Sequence, residues 1–276
     1  MKTVYLTADD YGYNAAVNDA ILALMADGRL SGAGCMTRAP GWPAAALRIG
    51  AAGGFGLHLD FTEFSPLRRG LWPLIGTALA RRLDASALRN EIATQCALFE
   101  DATGRAPAYV DGHQHVHQLP QIRDALIEVL VARYAGRLPW LRISGARIGD
   151  GAKPLFIAAL GAAALERLAF AAHIRAMPRL LGAYGFDGDA TGYRQRLSGW
   201  LGNAADGDAV MVHPATQALA GDPIGAARVR EYGVLASDTL PALLAANAVE
   251  LGALGGCVAG RRPTRGRSEE SVGGVF

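Results

Sequence analysis

The chain has 276 residues, of which 51% are hydrophobic and 19% are charged. This composition supplies enough apolar side chains for a buried core and excludes a chain that is disordered throughout, and the length suits one large domain such as an α/β barrel. The 27 Lys and Arg residues nearly balance the 25 Asp and Glu residues, so the formal net charge of +2 gives no reason to expect a nucleic-acid or membrane-surface protein.

The cysteines indicate a reducing compartment, and the apolar runs indicate neither a signal peptide nor a membrane span. Cys35, Cys96 and Cys257 are widely spaced and odd in number, so they form neither a CxxC pair nor a disulfide framework. The N-terminal apolar run is too short for a signal peptide, and the longest apolar stretch, residues 154–165, is too short to cross a bilayer. We therefore expect a cytoplasmic protein without an integral membrane segment.

Strands and helices alternate along the predicted secondary structure. In chain order the predicted elements are a strand at 4–8, a helix at 14–27, a strand at 34–37, a helix at 43–52, a strand at 55–59, a loop at 60–75, a helix at 84–101, a strand at 109–111, a helix at 120–134, a strand at 140–143, a helix at 154–175, a helix at 193–201, a strand at 208–212, a helix at 229–247 with a break near Pro241, and a strand at 249–254. This alternation predicts parallel strands joined by crossover helices, in either a barrel or an open doubly wound sheet. Residues 255–276, rich in Gly and Arg, are predicted to be a disordered tail, which leaves residues 1–254 as one domain.

Four short segments contain most of the side chains that could do chemistry. They are ADDYG at 8–12, GLHLD at 56–60, DGHQHVH at 111–117 and MVHP at 211–214, and together they hold five of the six histidines. Each segment lies at the end of a predicted strand. Because the carboxyl ends of parallel strands meet at one edge, where the active sites of α/β proteins lie, we expect these segments to converge in space.

The adjacent carboxylates Asp9 and Asp10 repel one another and are costly to bury together. They could cap the following helix, for which Asn14 is a competing cap. With a bound cation, one carboxylate could instead coordinate the metal while its neighbour, pointing elsewhere, stays free as a general base.

The histidine run at His113, His115 and His117 favours metal binding over a polar loop whose histidines bond to the backbone. In an extended chain alternate side chains share a face, so two or three imidazoles could point the same way. The helix predicted from Pro120 makes the chain turn within the run, which could separate His117 from His113.

His58, His213 and Arg142 could each have a structural role instead of a functional one. His58 by itself fits a satisfied core or surface histidine, and His213 fits either a buried histidine bonded to a carbonyl or a general acid near a metal. Arg142 could pair with Asp9 or Asp111, bind substrate, or lie at the surface. One carboxylate and two histidines without thiolate suit a catalytic site for Zn²⁺, Mn²⁺ or Co²⁺, and tolerate Mg²⁺.

Taken in order, the four segments resemble the YdjC-like carbohydrate deacetylase family over about residues 3–254. ADDYG matches the family's ADD[FY]G, GLHL its G-[LM]-H segment, DGHQHVHQLPQI its D-x-H-x-H-x-H-x-x-P pattern, and MVHP its late His-Pro segment. The family includes chitooligosaccharide deacetylases and hopanoid-biosynthesis-associated deacetylases. The resemblance implies a single-domain (β/α) barrel of irregular TIM type, with the active site at the C-terminal ends of the strands.

The resemblance also implies a role for the matched residues. The implied roles are Asp9 as general base, Asp10, His58 and His113 as metal ligands, His213 as general acid or stabiliser of the transition state, and His115 and His117 as residues that support the ligands or face the substrate. Arg142 and Asp60 are further candidates for substrate binding. The implied reaction removes an N-acetyl group from an amino sugar or an N-acetylated glycan or glycolipid, with one divalent ion that polarises the acetyl carbonyl and activates water.

Two other functions stay open at this stage. A metal-dependent hydrolase of a phosphoester or a cyclic amide could use the same ligands, and so could a carbohydrate- or metal-binding protein with a dead site. The presence of both Asp9 and Asp10 argues against the dead site, because metal binding alone needs no free base beside the ligand. The loop at 62–83 has no assigned role and could set substrate choice, so a chitooligosaccharide is not assumed. No nucleic-acid partner is expected, and homo-oligomerisation is open because many such barrels associate.

Overall fold

The computed structural model describes residues 1–50 and 52–254, so the predicted tail at 255–276 lies outside the described residues. The described strands are β1 Lys2–Tyr11, β2 Gly32–Cys35, β3 Phe55–Leu59, β4 Tyr109–Gly112, β5 Trp140–Arg142, β6 Ala176–Met177, β7 Leu180–Leu181, β8 Ala209–Val212 and β9 Val249–Leu251. The described helices are α1 Ala15–Ala26, α2 Trp42–Ala46, α3 Leu71–Leu79, α4 Ala85–Thr103, α5 Ile122–Arg133, α6 Ala152–Ala159, α7 Ala162–Ala171, α8 Ala190–Asn203, α9 Gly225–Leu235 and α10 Thr239–Ala246, with a 3₁₀ segment at His113–Gln118.

The parallel strands form a nearly closed barrel. Their order is β6-β5-β4-β3-β2-β1-β8-β7, and β9 pairs with the start of β1. Only Pro178 and Arg179 separate β6 from β7, yet β6 pairs with β5 and β7 pairs with β8, at opposite ends of this order. The extended segment 176–181 therefore joins the two ends of the sheet. The predicted barrel is confirmed, and the open sheet is excluded.

The alternation of side chains along β1 separates the outer core from the barrel interior. Leu6 and Ala8 are fully buried in the apolar cluster that also contains helix α1. Thr7 and Asp9 point the other way, where the Arg142 side chain reaches both of them from β5. Successive residues of a strand face opposite sides, so β1 supplies apolar packing outward and polar groups inward.

Helix boundaries follow the capping residues. Asn14 accepts a hydrogen bond from the Val17 N–H and caps α1, and Asp84 accepts from the N–H groups of Ser86 and Ala87 at the start of α4. Each cap satisfies backbone donors that have no partner within the first turn of a helix. The predicted starts of both helices are confirmed.

The predicted helix at 154–175 is instead two helices, α6 and α7, bent by 51°. The break lies at Gly161, whose φ is +150°, and a Cβ there would lie 2.1 Å from the Gln118 carbonyl oxygen. No single helix in the described part of the chain is long and apolar enough to cross a membrane, and α6 and α7 meet that test only when taken together, by length and composition.

Three other predicted boundaries were wrong. Helix α2 ends at Ala46 rather than near residue 52, and α3 begins at Leu71 inside the predicted loop. The break in the predicted helix at 229–247 lies at residues 236–238 rather than at Pro241, which is the third residue of α10. Proline is tolerated there because the first N–H groups of a helix have no intrahelical acceptor.

Candidate active site

The four polar segments meet around one cavity of about 760 Å³ at the carboxyl ends of the strands. The residues of these segments that line it are Asp9, Asp10, His58, His113, Gln114, His115, Met211 and His213. Residues separated by up to about two hundred positions in the chain thus share one site at the edge where they were expected, because parallel strands end together.

A bulge in β1 allows both adjacent carboxylates to face the cavity. In a regular strand Asp9 and Asp10 would point to opposite sides of the sheet. Between Ala8 and Tyr11 the pairing register with β2 shifts, and Asp10 adopts a left-handed conformation with a φ of +72°. Bulges redirect side chains, and left-handed conformations of residues other than glycine are strained and cluster at functional sites.

Three side chains form a candidate metal centre. Asp10 Oδ1 lies 3.1 Å from His113 Nδ1 and 3.5 Å from His58 Nε2, and the three ligand atoms lie within 4.8 Å of one another. His58 Nδ1 is 2.7 Å from Asp111 Oδ1, so its Nε2 faces the cavity. A Cβ on Gly34 would lie 3.1 Å from His58 Cβ, so glycine leaves room for the imidazole. One carboxylate and two imidazoles fit a divalent cation.

Asp9, His58 and Asp111 form another group that could hold a cation by distance alone. The Arg142 guanidinium already lies between the two carboxylates of this group, 2.7 Å from Asp9 Oδ1 and 2.6 Å from Asp111 Oδ2. A second cation there would meet this fixed positive charge. Of the two groups in the described residues, Asp10, His58 and His113 are therefore the better candidate for a metal site.

Arg142 is the centre of the buried charge network, and its side chain is 1% exposed. Its two terminal nitrogens each lie 2.7 Å from one oxygen of Asp9, which is the two-pronged geometry that guanidinium and carboxylate favour. Burial by itself would raise the pKa of Asp9, but the Arg142 charge, with help from His58 and His213, lowers that pKa to about 2. Asp9 is therefore ionised at neutral pH.

Arg228, on α9, holds the second carboxylate from the opposite side. Its Nη2 lies 2.6 Å from Asp10 Oδ2, and its Nε lies 2.8 Å from Asp222 Oδ2. The pKa of Asp10 is held well below its usual range because Arg228 and His113 outweigh the effect of burial. Asp10 Oδ2 is engaged by arginine, so Oδ1 is the oxygen left for a metal.

The backbone of His213 is fixed by a buried carboxyl group. The His213 N–H donates to Glu231 Oε2 at 2.6 Å, and the Tyr184 hydroxyl donates to Glu231 Oε1 at 2.7 Å. Burial raises the pKa of Glu231 to about 7 and lowers the pKa of the His213 ring to about 4. His213 Nε2 lies 3.9 Å from Asp9 Oδ2, so the neutral imidazole sits beside the candidate base.

Sequence reasoning missed both Arg228 and Glu231. They lie one turn apart on α9, and both are at least 97% buried. The available signal was an arginine and a glutamate three residues apart among the apolar residues of GAARVREYGVL. That pattern equally predicts an exposed ion pair, so only the tertiary structure separates the two interpretations.

The histidine run is a 3₁₀ turn rather than an extended segment. Gln114 and His115 have φ values of +52° and +62°, so two consecutive residues are left-handed. The chain therefore turns immediately after β4, and alternate imidazoles do not share one face. The expectation of extended geometry was wrong, whereas the expected turn within the run is present.

The three histidines of the run have three different surroundings. His113 belongs to the candidate metal centre, and His115 Nδ1 lies 2.8 Å from Ser144 Oγ beside the cavity. His117 is buried, and its Nε2 donates to the Arg142 carbonyl oxygen at 3.0 Å. His117 thus braces the end of β5, where the arginine of the charge network lies. Burial lowers its pKa to about 4, which keeps the ring neutral.

Of the four residues considered for substrate binding, His115 lines the cavity. Arg142 and His117 are buried and do not line it, and the surface position considered for Arg142 is excluded. Asp60 is fully buried, and its carboxylate accepts hydrogen bonds from the backbone N–H groups of residues 62–65. The structure therefore places Asp60 as an anchor for the loop that leads to α3.

The upper wall of the cavity is largely apolar. Leu71, Trp72 and Ile75 of α3 form one side, and Phe156 and Ile157 of α6 form another. The rings of Trp72 and Phe156 are 6.0 Å apart at an angle of 50°. Part of the 62–83 segment is thus a wall of the site, as its position after His58 suggested.

Comparison with known proteins places these residues in a family. The model of the family described as YdjC-like protein matches residues 3–246. A human carbohydrate deacetylase is 30% identical over 144 residues, which are 46% of this chain and 45% of that protein. A carbohydrate deacetylase of Geobacillus stearothermophilus is 32% identical over 154 residues, 51% of this chain and 60% of that protein. A chitooligosaccharide deacetylase of Serratia marcescens is 31% identical over 135 residues, 44% of this chain and 53% of that protein.

These matches span about half the length of the relatives. Among solved structures, an Enterococcus faecalis V583 protein provisionally described as a cellobiose-phosphate cleavage protein superposes with a TM-score of 0.67. It is 19% identical, and the superposition covers 91% of this chain and 97% of that one. This likeness supports the barrel fold.

Proposed function

Because the chain belongs to the YdjC-like protein family, we propose that it is a metal-dependent hydrolase that removes the N-acetyl group from an amino sugar or an N-acetylated glycan or glycolipid. The observation that carries the proposal is the group of Asp10, His58 and His113 beside the ionised carboxylate of Asp9. Relatives named carbohydrate deacetylase and chitooligosaccharide deacetylase support this reaction class.

The metal would be held by Asp10 Oδ1, His58 Nε2 and a ring nitrogen of His113. A divalent ion bound there, Mg²⁺ or Zn²⁺ before Mn²⁺ or Co²⁺, polarises a carbonyl oxygen and lowers the pKa of water. Asp111 fixes the ring of His58, and Arg228 fixes the carboxylate of Asp10. These contacts orient the ligands before the ion binds, which favours a defined geometry.

Asp9 is the general base of the proposed reaction. Arg142 holds both of its oxygens, which leaves the carboxylate ionised and unable to rotate. Its Oδ2 lies 4.0 Å from His58 Nε2 and 3.9 Å from His213 Nε2, so this oxygen lies between the metal ligands and the candidate acid. A proton taken from water would be accepted at this oxygen.

His213 would protonate the leaving amine with a proton gained during the reaction. Its pKa of about 4 means that the free imidazole carries no proton to give away at neutral pH. Its Nε2 lies 3.9 Å from Asp9 Oδ2, beyond direct hydrogen-bond distance, so the proton would pass from the base through one bridging water to the ring and on to the amine nitrogen. The products are acetate and a free amino sugar.

Acetate release tests the proposal. The protein is stripped of metal, resupplied separately with Mg²⁺, Zn²⁺, Mn²⁺ or Co²⁺, and incubated with N-acetylated monosaccharides, oligosaccharides and glycolipids. Asp9→Asn should retain metal and lose turnover by several orders of magnitude, and His113→Ala should lose both. His173→Asn is the matched control, because His173 is the exposed histidine outside the four segments, and its φ of +56° suits asparagine.

The outcomes separate the proposed function from its alternatives. Metal-dependent acetate release that Asp9→Asn abolishes supports a deacetylase. Hydrolysis of nitrophenyl phosphate without acetate release would instead assign a phosphoesterase. Metal binding that survives Asp9→Asn, with no turnover on either panel, would assign a binding protein.

A further inference from the structure

One segment beside the cavity is strongly basic although the whole chain is nearly neutral. Residues 66–83 read PLRRGLWPLIGTALARRL, with four arginines and no Asp or Glu. Arg68 and Arg69 precede α3, and Arg81 and Arg82 follow it, and all four are exposed. Positive charge therefore flanks both ends of an apolar helix.

Helix α3 exposes apolar side chains on its outer face. Leu74 and Ala78, four residues apart, are buried and attach the helix to the barrel. Trp72 and Leu79, seven residues apart, share the opposite face and are 68% and 57% exposed. A surface helix normally turns polar residues outward, so this orientation leaves Trp72 and Leu79 largely exposed to solvent.

A second helix extends this apolar surface around the cavity. Leu155 and Phe156 on α6 are 39% and 47% exposed, and the Phe156 ring contacts the Trp72 ring. We call Trp72, Leu79, Leu155 and Phe156 the rim patch. Trp72 and Phe156 also line the cavity, so the rim patch borders its mouth.

We propose that the rim patch and its four flanking arginines dock the protein on a bilayer that contains anionic lipid, with the cavity opening toward that surface. Exposed apolar side chains beside basic residues combine the two attractions, apolar burial and electrostatic attraction to anionic lipid, that hold proteins at a membrane interface. The apolar side chains would enter the boundary between headgroups and acyl chains, where tryptophan is favoured. The arginines would pair with lipid phosphates, and Arg81, whose Nη2 lies 3.5 Å from Asp124 Oδ2, would exchange this exposed ion pair for a lipid phosphate.

The docking surface is held in shape before any lipid binds. Asp60 binds the backbone of residues 62–65, and the Arg69 N–H donates to the Phe61 carbonyl oxygen at 3.0 Å. These bonds fix the chain that enters α3, so little conformational entropy is lost on docking. The inference rests on this surface and does not require the proposed reaction.

Vesicle flotation tests the inference without substrate or metal. The full chain is mixed with vesicles of phosphatidylcholine alone, or with added phosphatidylglycerol, at low and high salt. We expect flotation with the anionic vesicles that weakens with salt. Arg68→Glu/Arg69→Glu should weaken binding by roughly 25-fold or more, from about fivefold for each arginine near an anionic surface. Trp72→Ser should also weaken it.

The matched control is Arg137→Glu/Arg194→Glu, which makes the same change of charge at two exposed arginines outside the segment. Arg137 precedes β5 and so lies at the opposite end of the barrel from the cavity. This control should bind anionic vesicles nearly as well as the unchanged protein. Circular dichroism and the melting temperature establish that each variant is folded.

Two results would overturn the inference. One is a folded, unchanged protein that does not float with anionic vesicles at low salt. The other is equal binding by Arg68→Glu/Arg69→Glu and by the control, which would show that net charge rather than this surface drives association. Because acetate release from water-soluble sugars is measured separately, either result leaves the proposed reaction intact.

Discussion

Replacing Arg142 with methionine should destabilise the protein strongly. The guanidinium is 1% exposed and is the cationic partner shared by Asp9 and Asp111. Methionine fills a similar volume but leaves both carboxylates buried without that partner. The change therefore isolates the charge network from simple loss of packing.

The cost follows from the burial of these groups. Breaking a buried ion pair by removing one partner typically costs about 3–5 kcal/mol, because the remaining charge is not solvated. His58, 2.7 Å from Asp111, can take up a proton and offset part of this cost. We therefore expect the free energy of unfolding to fall by about 3 kcal/mol and the melting temperature to fall by roughly 6–12 °C.

Urea unfolding of the metal-free protein at neutral pH measures this cost. The comparison includes Arg142→Met, Asp9→Asn and the double variant, so that a thermodynamic cycle isolates the Arg142–Asp9 coupling. Arg179→Met is the matched control, because Arg179 is 6% exposed and binds two carboxylates, Asp150 and Asp208, outside the candidate active site. It should lose stability without losing turnover per folded molecule.

The reasoning fails if Arg142→Met lowers the free energy of unfolding by less than about 1 kcal/mol, the range of an exposed ion pair. It also fails if the two single changes add without coupling. In either case Asp9 would not depend on Arg142 for its charge or its orientation.

Three further predictions address the rest of the site. The pKa of Glu231 is about 7 in the folded protein against an ordinary 4.5, so its contribution to stability is full below about pH 4.5 and is lost as pH rises through about 7. Glu231→Gln should therefore become more stable than the unchanged protein between about pH 5 and 8. Thermal unfolding should show a gain of up to about 3 kcal/mol in the free energy of unfolding. Gly34→Ala places a Cβ 3.1 Å from His58 Cβ and should weaken metal affinity by about tenfold or more in calorimetry, whereas an unchanged affinity would show that the imidazole can move. Arg228→Met leaves Asp10 and Asp222 without their arginine, so urea unfolding of the metal-free protein should show a free energy of unfolding lower by about 3 kcal/mol. Adding the divalent ion should recover part of this loss. No recovery would remove Asp10 from the ligand set.

Much of the architecture was predictable because it depends on local patterns. Alternating strands and helices predict parallel pairing, and the side-chain oxygens of Asn14 and Asp84 cap helices through bonds within a few residues. The position of the candidate site residues at the ends of the strands was also predictable. All parallel strands end at one edge, so four separate motifs imply one site without any knowledge of their contacts.

The assignment of partners was decided only by the tertiary structure. Sequence left Arg142 free to pair with Asp9, Asp111, substrate or solvent, and the fold brings it to both acids across the barrel. Arg228 reaches Asp10 from a helix 218 positions away, which no local pattern indicates. Pairing energies depend on distance and burial, and both are set by how distant elements pack.

The same distinction applies to the backbone of the site. Asp9 and Asp10 are adjacent in the sequence, and a regular strand would direct their side chains to opposite faces of the sheet. The register shift in β1 and the left-handed Asp10 direct both carboxylates to the cavity, and the left-handed Gln114 and His115 send the histidine run into a turn. Such conformations are locally unfavourable and persist only where surrounding contacts hold them. The sequence by itself therefore determined the alternation of most strands and helices and the edge that carries the chemistry, while long-range packing decided which atoms meet there.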